Sequence, residues 1–244
     1  EPVMTRAVAL LHGWAMSPDV WTAVKENLRG REAYAPALPG YGAAPMCMPY
    51  DLDTVVQALS ESAPAEVDVI GWSLGGLVAL QWALEKPLQV RKLVLLGATP
   101  RFLAADGWPH GVAPAVWRIF VRELRQNPDA LMRRFSALQA EGEEDSKGLT
   151  KRIYANRAQA APDALQASLN VLAAGDVRER VRALQQPVLL LHGERDAITP
   201  LAAARWLSET LPRAALQVYE GAGHALPLSR AAACAERIRR FLDE

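Results

Sequence analysis

The sequence predicts an α/β fold: a mostly parallel sheet flanked by helices, with a helical insertion. Three observations carry this. Short apolar runs rich in β-branched residues alternate with helix-patterned segments, the signature of strands joined by crossover helices. One such run, Val67 to Ile70, passes through Gly71-Trp72-Ser73-Leu74-Gly75 directly into a helical pattern. Between Arg101 and about Arg182 no strand pattern occurs, and Ala, Leu, Arg and Gln, all good helix formers, dominate. The chain therefore reads as one domain over residues 1–244, with residues 101–182 inserted as a helical cap over the sheet's C-terminal edge. Open α/β sheets place their sites at that edge.

Ala7 to Leu11 reads as a buried strand ending at His12-Gly13-Trp14. Ser17-Pro18-Asp19 supplies a cap, a first-turn proline and a first-turn acid, and Val20, Trp21, Val24 and Leu28 follow at helical spacing. Tyr34 to Leu38 is a second expected strand, stopped by the turn-rich Pro39-Gly40-Tyr41-Gly42. Leu52 to Leu59 suits a helix. Val67 to Ile70 is a strand, Leu74 to Leu84 a helix, and Lys92 to Leu96 another apolar strand. After the insertion, strands are expected at Val188 to Leu191 and Leu216 to Tyr219, and an amphipathic helix at Arg230 to Leu242.

Composition narrows the function classes. Lys+Arg and Asp+Glu number 27 each, so no net field favours nucleic acid or an anionic membrane as partner. No apolar run approaches the roughly 20 residues that span a bilayer. The first residues, Glu1-Pro2-Val3-Met4-Thr5-Arg6, show no signal-peptide pattern and no initiator Met, which leaves room for an upstream segment. Two cysteines far apart, Cys47 and Cys234, favour the reducing cytoplasm, although one bridge between them is compatible with the count. There is no H-E-x-x-H, C-x-x-C, P-loop or post-strand G-x-G-x-x-G, so neither metal nor cofactor is implied. A monomer is expected.

The chemistry centres on Gly71-Trp72-Ser73-Leu74-Gly75, a G-x-S-x-G sequence in strand–turn–helix context. There a serine sits on a sharp turn with its hydroxyl exposed, and glycines on either side relieve backbone crowding. A serine hydroxyl is a weak nucleophile and needs a base held by an acid. His224, in Gly221-Ala222-Gly223-His224, follows the last expected strand. Asp196, in His192-Gly193-Glu194-Arg195-Asp196, follows the one before. The order Ser73, Asp196, His224 is that of a hydrolase triad on such a sheet; Glu194 is the rival acid. Backbone N–H groups of Trp14, after the first strand, and Leu74, after the serine, are the candidate oxyanion donors. His12 and His192 read as structural, bonding loop backbone, and His110 as a surface residue of the insertion.

With these residues in view, the chain resembles the α/β-hydrolase superfamily over nearly its whole length. Leu10-Leu11-His12-Gly13-Trp14, Gly71 to Ala79 and Phe135-Ser136-Ala137-Leu138-Gln139 together look like the BioH family of pimeloyl-[acyl-carrier protein] methyl ester esterases. The resemblance implies hydrolysis of that methyl ester, releasing methanol and leaving the carrier thioester intact, as a step of biotin synthesis. It implies a substrate path along Trp14, Ser73, Leu74, Phe135, Ser136, Ala137, Leu138, Gln139 and His224. It also implies an acidic acyl-carrier protein as partner, docked on basic residues of the insertion: Arg134, Lys147 and Lys151. Ala130 departs from the pattern, since a basic residue is expected one turn before Arg134, and Gly142-Glu143-Glu144-Asp145 places acids nearby.

Blander readings stand beside these. Arg118, Arg122, Arg125, Arg133 and Arg134 also suit an ordinary solvated helix face. Trp108, Trp117 and Phe135 suit either a core or the wall of an acyl channel. The rival functions are a broad short-chain carboxylesterase or lactonase, a C–C bond hydrolase on the same scaffold, and a non-catalytic binding protein. Asp-nucleophile dehalogenases and epoxide hydrolases are disfavoured by serine at position 73.

Overall fold

The computed structural model describes residues 6–244; the first five residues, on which the expectation of an upstream segment rests, lie outside it. Six parallel strands form one sheet: β1 (Ala7–Leu11), β2 (Ala33–Tyr34), β3 (Val67–Trp72), β4 (Val90–Leu96), β5 (Val188–Gly193) and β6 (Ala214–Tyr219). Their order is β2-β1-β3-β4-β5-β6. The chain steps from β1 outward to β2 and then returns to the other side of β1 as β3. The loops after β1 and β3 therefore diverge at a topological switch point, where such sheets form a crevice.

Near-continuous apolar strands are what a sheet covered on both faces requires. Side chains alternate along each strand. Ala9, Leu11, Val69, Leu93, Leu95 and Leu190 pack on one face with α2 (Leu52–Glu61), α3 (Leu74–Glu85) and α8 (Leu201–Thr210). Val8, Leu10, Ile70, Val94, Leu96 and Leu191 pack on the other with α1 (Thr22–Asn27) and α10 (Ala231–Asp243). Helix α3 is buried from Leu74 through Ala83, as a sequence apolar but for Gln81 demands.

Between β4 and β5 lie α4 (Pro114–Gln126), α5 (Pro128–Gln139), α6 (Ser146–Ala155) and α7 (Pro162–Ala174). Residues before α4 are irregular, with isolated bridges Leu103↔Val112 and Ala105↔Trp108. Gly107, Pro109 and Gly111 break any helix there. A four-residue helix, α9 (Leu226–Ser229), follows the loop after β6. No helix of the described residues is long and apolar enough to cross a membrane.

Most strand expectations hold, some extended by one or two residues. The exception is Tyr34 to Leu38, because the ladder ends at Tyr34. Pro36 has no N–H to continue it, and Leu38 N–H instead donates to His12 Nε2 at 3.0 Å. The first helix opens as a 3₁₀ turn, Pro18–Trp21, with Ser17 Oγ accepting from Asp19 N–H, before becoming α1. Helix α8, led in by Pro200, was not singled out by the patterning.

The glycines at the start of α3 have a steric reason. A Cβ on Gly71 would lie 2.2 Å from the Gly75 carbonyl oxygen, and one on Gly75 would lie 2.2 Å from the Leu11 carbonyl oxygen. Both obstacles are backbone and cannot swing aside. Gly71→Ala is expected to destabilise the fold by about 1–3 kcal/mol, the usual cost of overpacking. Urea denaturation would read this, and an unchanged midpoint would mean that α3 has slack against β3.

Candidate active site

Ser73 caps α3 with φ 56° and ψ −116°, a conformation that side chains rarely adopt. Its N–H donates to the Leu96 carbonyl at 3.0 Å, tying the turn to the end of β4. Because Ser73 stands at the helix start, the N–H of Leu74 has no intrahelical acceptor. Neither Leu74 N–H nor Trp14 N–H donates a hydrogen bond within the described residues. Trp14 follows β1, the strand paired with β3 through Leu11↔Gly71, so both free N–H groups belong to adjacent strand ends. A Cβ on Gly13 would touch Ser73 Cβ at 3.5 Å, so this loop flanks the serine directly.

His224 Nδ1 lies 2.8 Å from Asp196 Oδ2, and both side chains are buried. Asp196 Oδ1 accepts from the N–H groups of Ile198 and Thr199 at 2.9 Å each. Thr199 Oγ1 sits 3.0 Å from Asp196 Oδ2 and 2.9 Å from the Gly97 carbonyl. Burial alone would raise the Asp196 pKa. The His224 charge and hydrogen bond, with His192 and Thr199 N–H, outweigh it and hold the carboxyl below its ordinary value. Glu194, the rival acid, turns away and accepts from Gly221 N–H at 2.9 Å. The indole of Trp72 donates to the His224 carbonyl at 2.9 Å. No hydrogen bond joins Ser73 Oγ to His224 among the described residues; such bonds often tighten only with substrate in place.

Ser73 opens into a cavity of about 150 Å³ lined by Trp14, Phe102, Val112, Trp117, Phe120, Phe135, Leu138, Leu169, Leu172 and Ile198, among others. Trp14 meets Phe120 and Phe135 edge-on, with ring centroids 5.4 and 5.5 Å apart. The Trp14 indole N–H is taken by the Leu165 carbonyl at 2.9 Å. No charged side chain among the described residues lines this cavity.

Of the expected path from Phe135 to Gln139, only Phe135 and Leu138 face the cavity. Helical geometry explains this, since positions three apart share a face. Ser136 is buried with its hydroxyl on the Met132 carbonyl. Gln139 is buried and its carbonyl accepts from His224 N–H at 3.1 Å, a support of the histidine loop and not a wall. Ala137 lines a surface depression instead. Trp117 joins the cavity wall, whereas Trp108 is buried against Trp206 and donates to the Arg101 carbonyl. Phe102, Val112, Phe120, Leu169, Leu172 and Ile198 were missed because apolar residues facing a cavity read as core. His110 is half-buried, its ring edge-on to Trp108.

Arg134, Lys147 and Lys151 converge on one surface depression of about 700 Å³ with Ala137 and Leu138. Leu138 also lines the cavity, so the two adjoin. Arg134 is ion-paired with Glu123. Glu141 lines the same depression, whereas two other nearby acids are engaged locally. Glu143 is turned inward, accepting from Gly223 N–H and pairing with Arg230 at 3.0 Å, and Asp145 caps α6 by accepting from Gly148 N–H.

This site, a serine on a strand–helix turn facing an apolar cavity beside a buried His–Asp pair, belongs to a recognisable class. A model of the alpha/beta hydrolase family matches residues 8–237, and the chain belongs to that family. It is similar to the pimeloyl-[acyl-carrier protein] methyl ester esterase of Aromatoleum aromaticum, 41% identical over 237 residues, with 93% of this chain and 94% of the relative covered. The enzyme of the same name from Nitrosomonas europaea is 38% identical, with 91% and 90% covered. Among solved structures, an esterase from Exiguobacterium antarcticum superposes with a TM-score of 0.89 at 23% identity, covering 98% of this chain and 92% of that one; it supports the fold.

His12 and His192 are buried supports, as expected. His12 Nδ1 meets the Gly13 carbonyl at 2.8 Å while Nε2 accepts from Leu38, so the ring is neutral. Burial, partly offset by the Gly13 bond, pulls its pKa down to about 4. Burial likewise lowers that of His192, whose Nε2 lies 2.7 Å from the Thr199 carbonyl. An unfolded histidine takes its proton near pH 6.5, whereas His12 folded resists until about pH 4. Stability is therefore full above about pH 6.5 and falls towards pH 4, by on the order of 3 kcal/mol for His12. Urea midpoints measured across this range would show the slope, and His12→Gln should flatten it. A wild-type midpoint constant from pH 7 to 4 would contradict the neutral assignment.

Proposed function

We propose that the protein is a serine carboxylesterase that hydrolyses the methyl ester of pimeloyl-[acyl-carrier protein] in biotin synthesis, working in the cytoplasm. The observation that carries this reading is the site's division by polarity. An uncharged cavity at Ser73 suits an acyl chain ending in an ester, and the depression bearing Arg134, Lys147 and Lys151 at its edge suits an acidic carrier. Full-length similarity to esterases of that name supports the substrate.

In this mechanism His224 Nε2 takes the proton of Ser73 Oγ as the oxygen attacks the ester carbonyl carbon. Asp196 accepts from His224 Nδ1–H, fixes the tautomer and stabilises the imidazolium. The tetrahedral oxyanion accepts from Trp14 and Leu74 N–H, donors already free of other partners. Collapse breaks the C–O bond to methoxide, which leaves as methanol with the proton from His224. The acyl group is then esterified to Ser73. Water, deprotonated by His224, attacks that ester, and collapse returns Ser73 and a free carboxylate. The acyl chain runs past Leu138 to the carrier, whose thioester stays outside the cavity. Charge on Arg134, Lys147 and Lys151 acts mainly on association and its salt dependence.

Ser73→Ala is expected to reduce ester hydrolysis by at least about 10⁴-fold, and to fail to support growth of a biotin-requiring strain lacking its own esterase. Rescue by wild type alone supports the reading; failure of wild type to rescue, with short-ester activity intact, indicates a general esterase. Arg134→Glu should lower kcat/KM on the carrier-linked ester at least about 10-fold more than on a small soluble ester. Equal losses on both would remove the docking assignment.

A further inference from the structure

The Pro39-Gly40-Tyr41-Gly42 turn takes no part in the reaction as written above, yet its Tyr41 is fully buried and reaches the loop after β1. Ala15 N–H donates to Tyr41 Oη at 3.1 Å. Tyr41 Oη lies 2.8 Å from Ser168 Oγ on α7. Ser168 Oγ in turn donates to the Ala164 carbonyl at 2.7 Å. A serine hydroxyl has one proton, so Tyr41 is the donor to Ser168. The proton directions are thereby fixed, from Ala15 N–H to Tyr41, from Tyr41 to Ser168, and from Ser168 to Ala164. Burial raises the Tyr41 pKa to about 12, so its hydroxyl keeps the proton it donates.

Ala15 directly follows Trp14 and holds φ 59°; Ser73 is the other non-glycine residue of positive φ among those described. A residue with a Cβ stays in that region only where its surroundings over-determine it. Here the over-determination is explicit. Tyr41 holds the Ala15 N–H, Ala158 N–H donates to the Ala15 carbonyl at 2.8 Å, and the Trp14 indole is pinned on Leu165. Fixing the Trp14–Ala15 peptide and the indole together leaves the Trp14 backbone one orientation. Its own N–H donates to no partner among the described residues.

We propose that Tyr41 is a positioning residue for ester hydrolysis: its hydroxyl holds the left-handed Ala15 peptide and so aims the Trp14 N–H at the developing oxyanion. This rests on the proposed function, in which Trp14 N–H is an oxyanion donor and Ser73 the nucleophile. The hydroxyl touches neither substrate nor triad. Its loss should therefore reach the transition state through geometry alone.

The test is Tyr41→Phe, which removes Oη and keeps the ring that packs 4.9 Å from His12 between centroids. On p-nitrophenyl acetate, kcat is expected to fall about 10-fold or more with KM within about twofold, the pattern of an interaction made only in the transition state. The pH dependence of kcat should keep its wild-type midpoint, because the His224–Asp196 pair is untouched. Adding Ala15→Gly should restore at least about half of the lost activity on a logarithmic scale, since glycine adopts φ 59° without the hydroxyl's help. Wild-type kcat in Tyr41→Phe, or a loss that Ala15→Gly does not relieve, overturns the proposal. Should Tyr41→Phe not fold, Ser168→Ala, which removes the acceptor of the Tyr41 proton, must lower kcat in the same sense, and an unchanged kcat there overturns it equally. Ser73→Ala, run alongside, separates the two levels. An active Ser73→Ala defeats the catalytic reading itself, whereas an inactive one beside a fully active Tyr41→Phe defeats the positioning role alone.

Discussion

The close approach of three backbone segments at Ser73 governs the rest of the structure. The end of β1, the turn after β3 and the first turn of α3 meet with no room for a Cβ at Gly71 or Gly75. Ser73 is thereby forced into a positive-φ conformation, which costs about 1–3 kcal/mol. The helix behind it more than offsets this. Leu77, Val78, Leu80 and Trp82 of α3 are essentially fully buried, and each such side chain contributes roughly 1.5–3 kcal/mol. The strain is local, the compensation is spread along the helix, and the outcome is a serine at the cavity wall followed by a backbone N–H without a partner among the described residues.

Charge follows the same economy of placement. Asp196, buried with two histidines nearby, is stabilised by two backbone N–H groups and the His224 ring. Removing any one partner leaves part of a buried carboxylate unsatisfied, which is costlier than the bond itself is worth. The cavity at Ser73 has no charged lining among the described residues, while Arg134, Lys147 and Lys151 gather with Glu141 at the adjoining depression. Polar groups are thus confined to the floor and the rim.

Much of this was readable in the sequence, and the reasons differ by element. The strands were clear because a sheet buried on both faces writes itself as unbroken apolar runs. The pairing of Asp196 with His224 was legible because each follows a strand, in the order expected after Ser73, a pattern that needs no tertiary knowledge. The cavity wall was not, because Phe102, Phe120 and Leu172 carry the same apolar signal whether they face a core or a void. The motif from Phe135 to Gln139 was read as one continuous wall, but a helix distributes five consecutive residues around its axis. Tyr41 gave only a turn signal, since nothing local states that its hydroxyl meets Ala15 and Ser168, 26 and 127 positions away.

The insertion's grip on His224 has a mechanical consequence. The amide of His224 donates to the carbonyl of Gln139, the last residue of α5, and Gly223 N–H donates to Glu143 a few residues on. Lifting α5 together with the turn that follows it would break both bonds and release the loop that carries the histidine. The helix that walls the cavity and the loop that carries His224 are coupled: a motion of that segment large enough to uncover the cavity would also remove the backbone support of the His224–Asp196 pair.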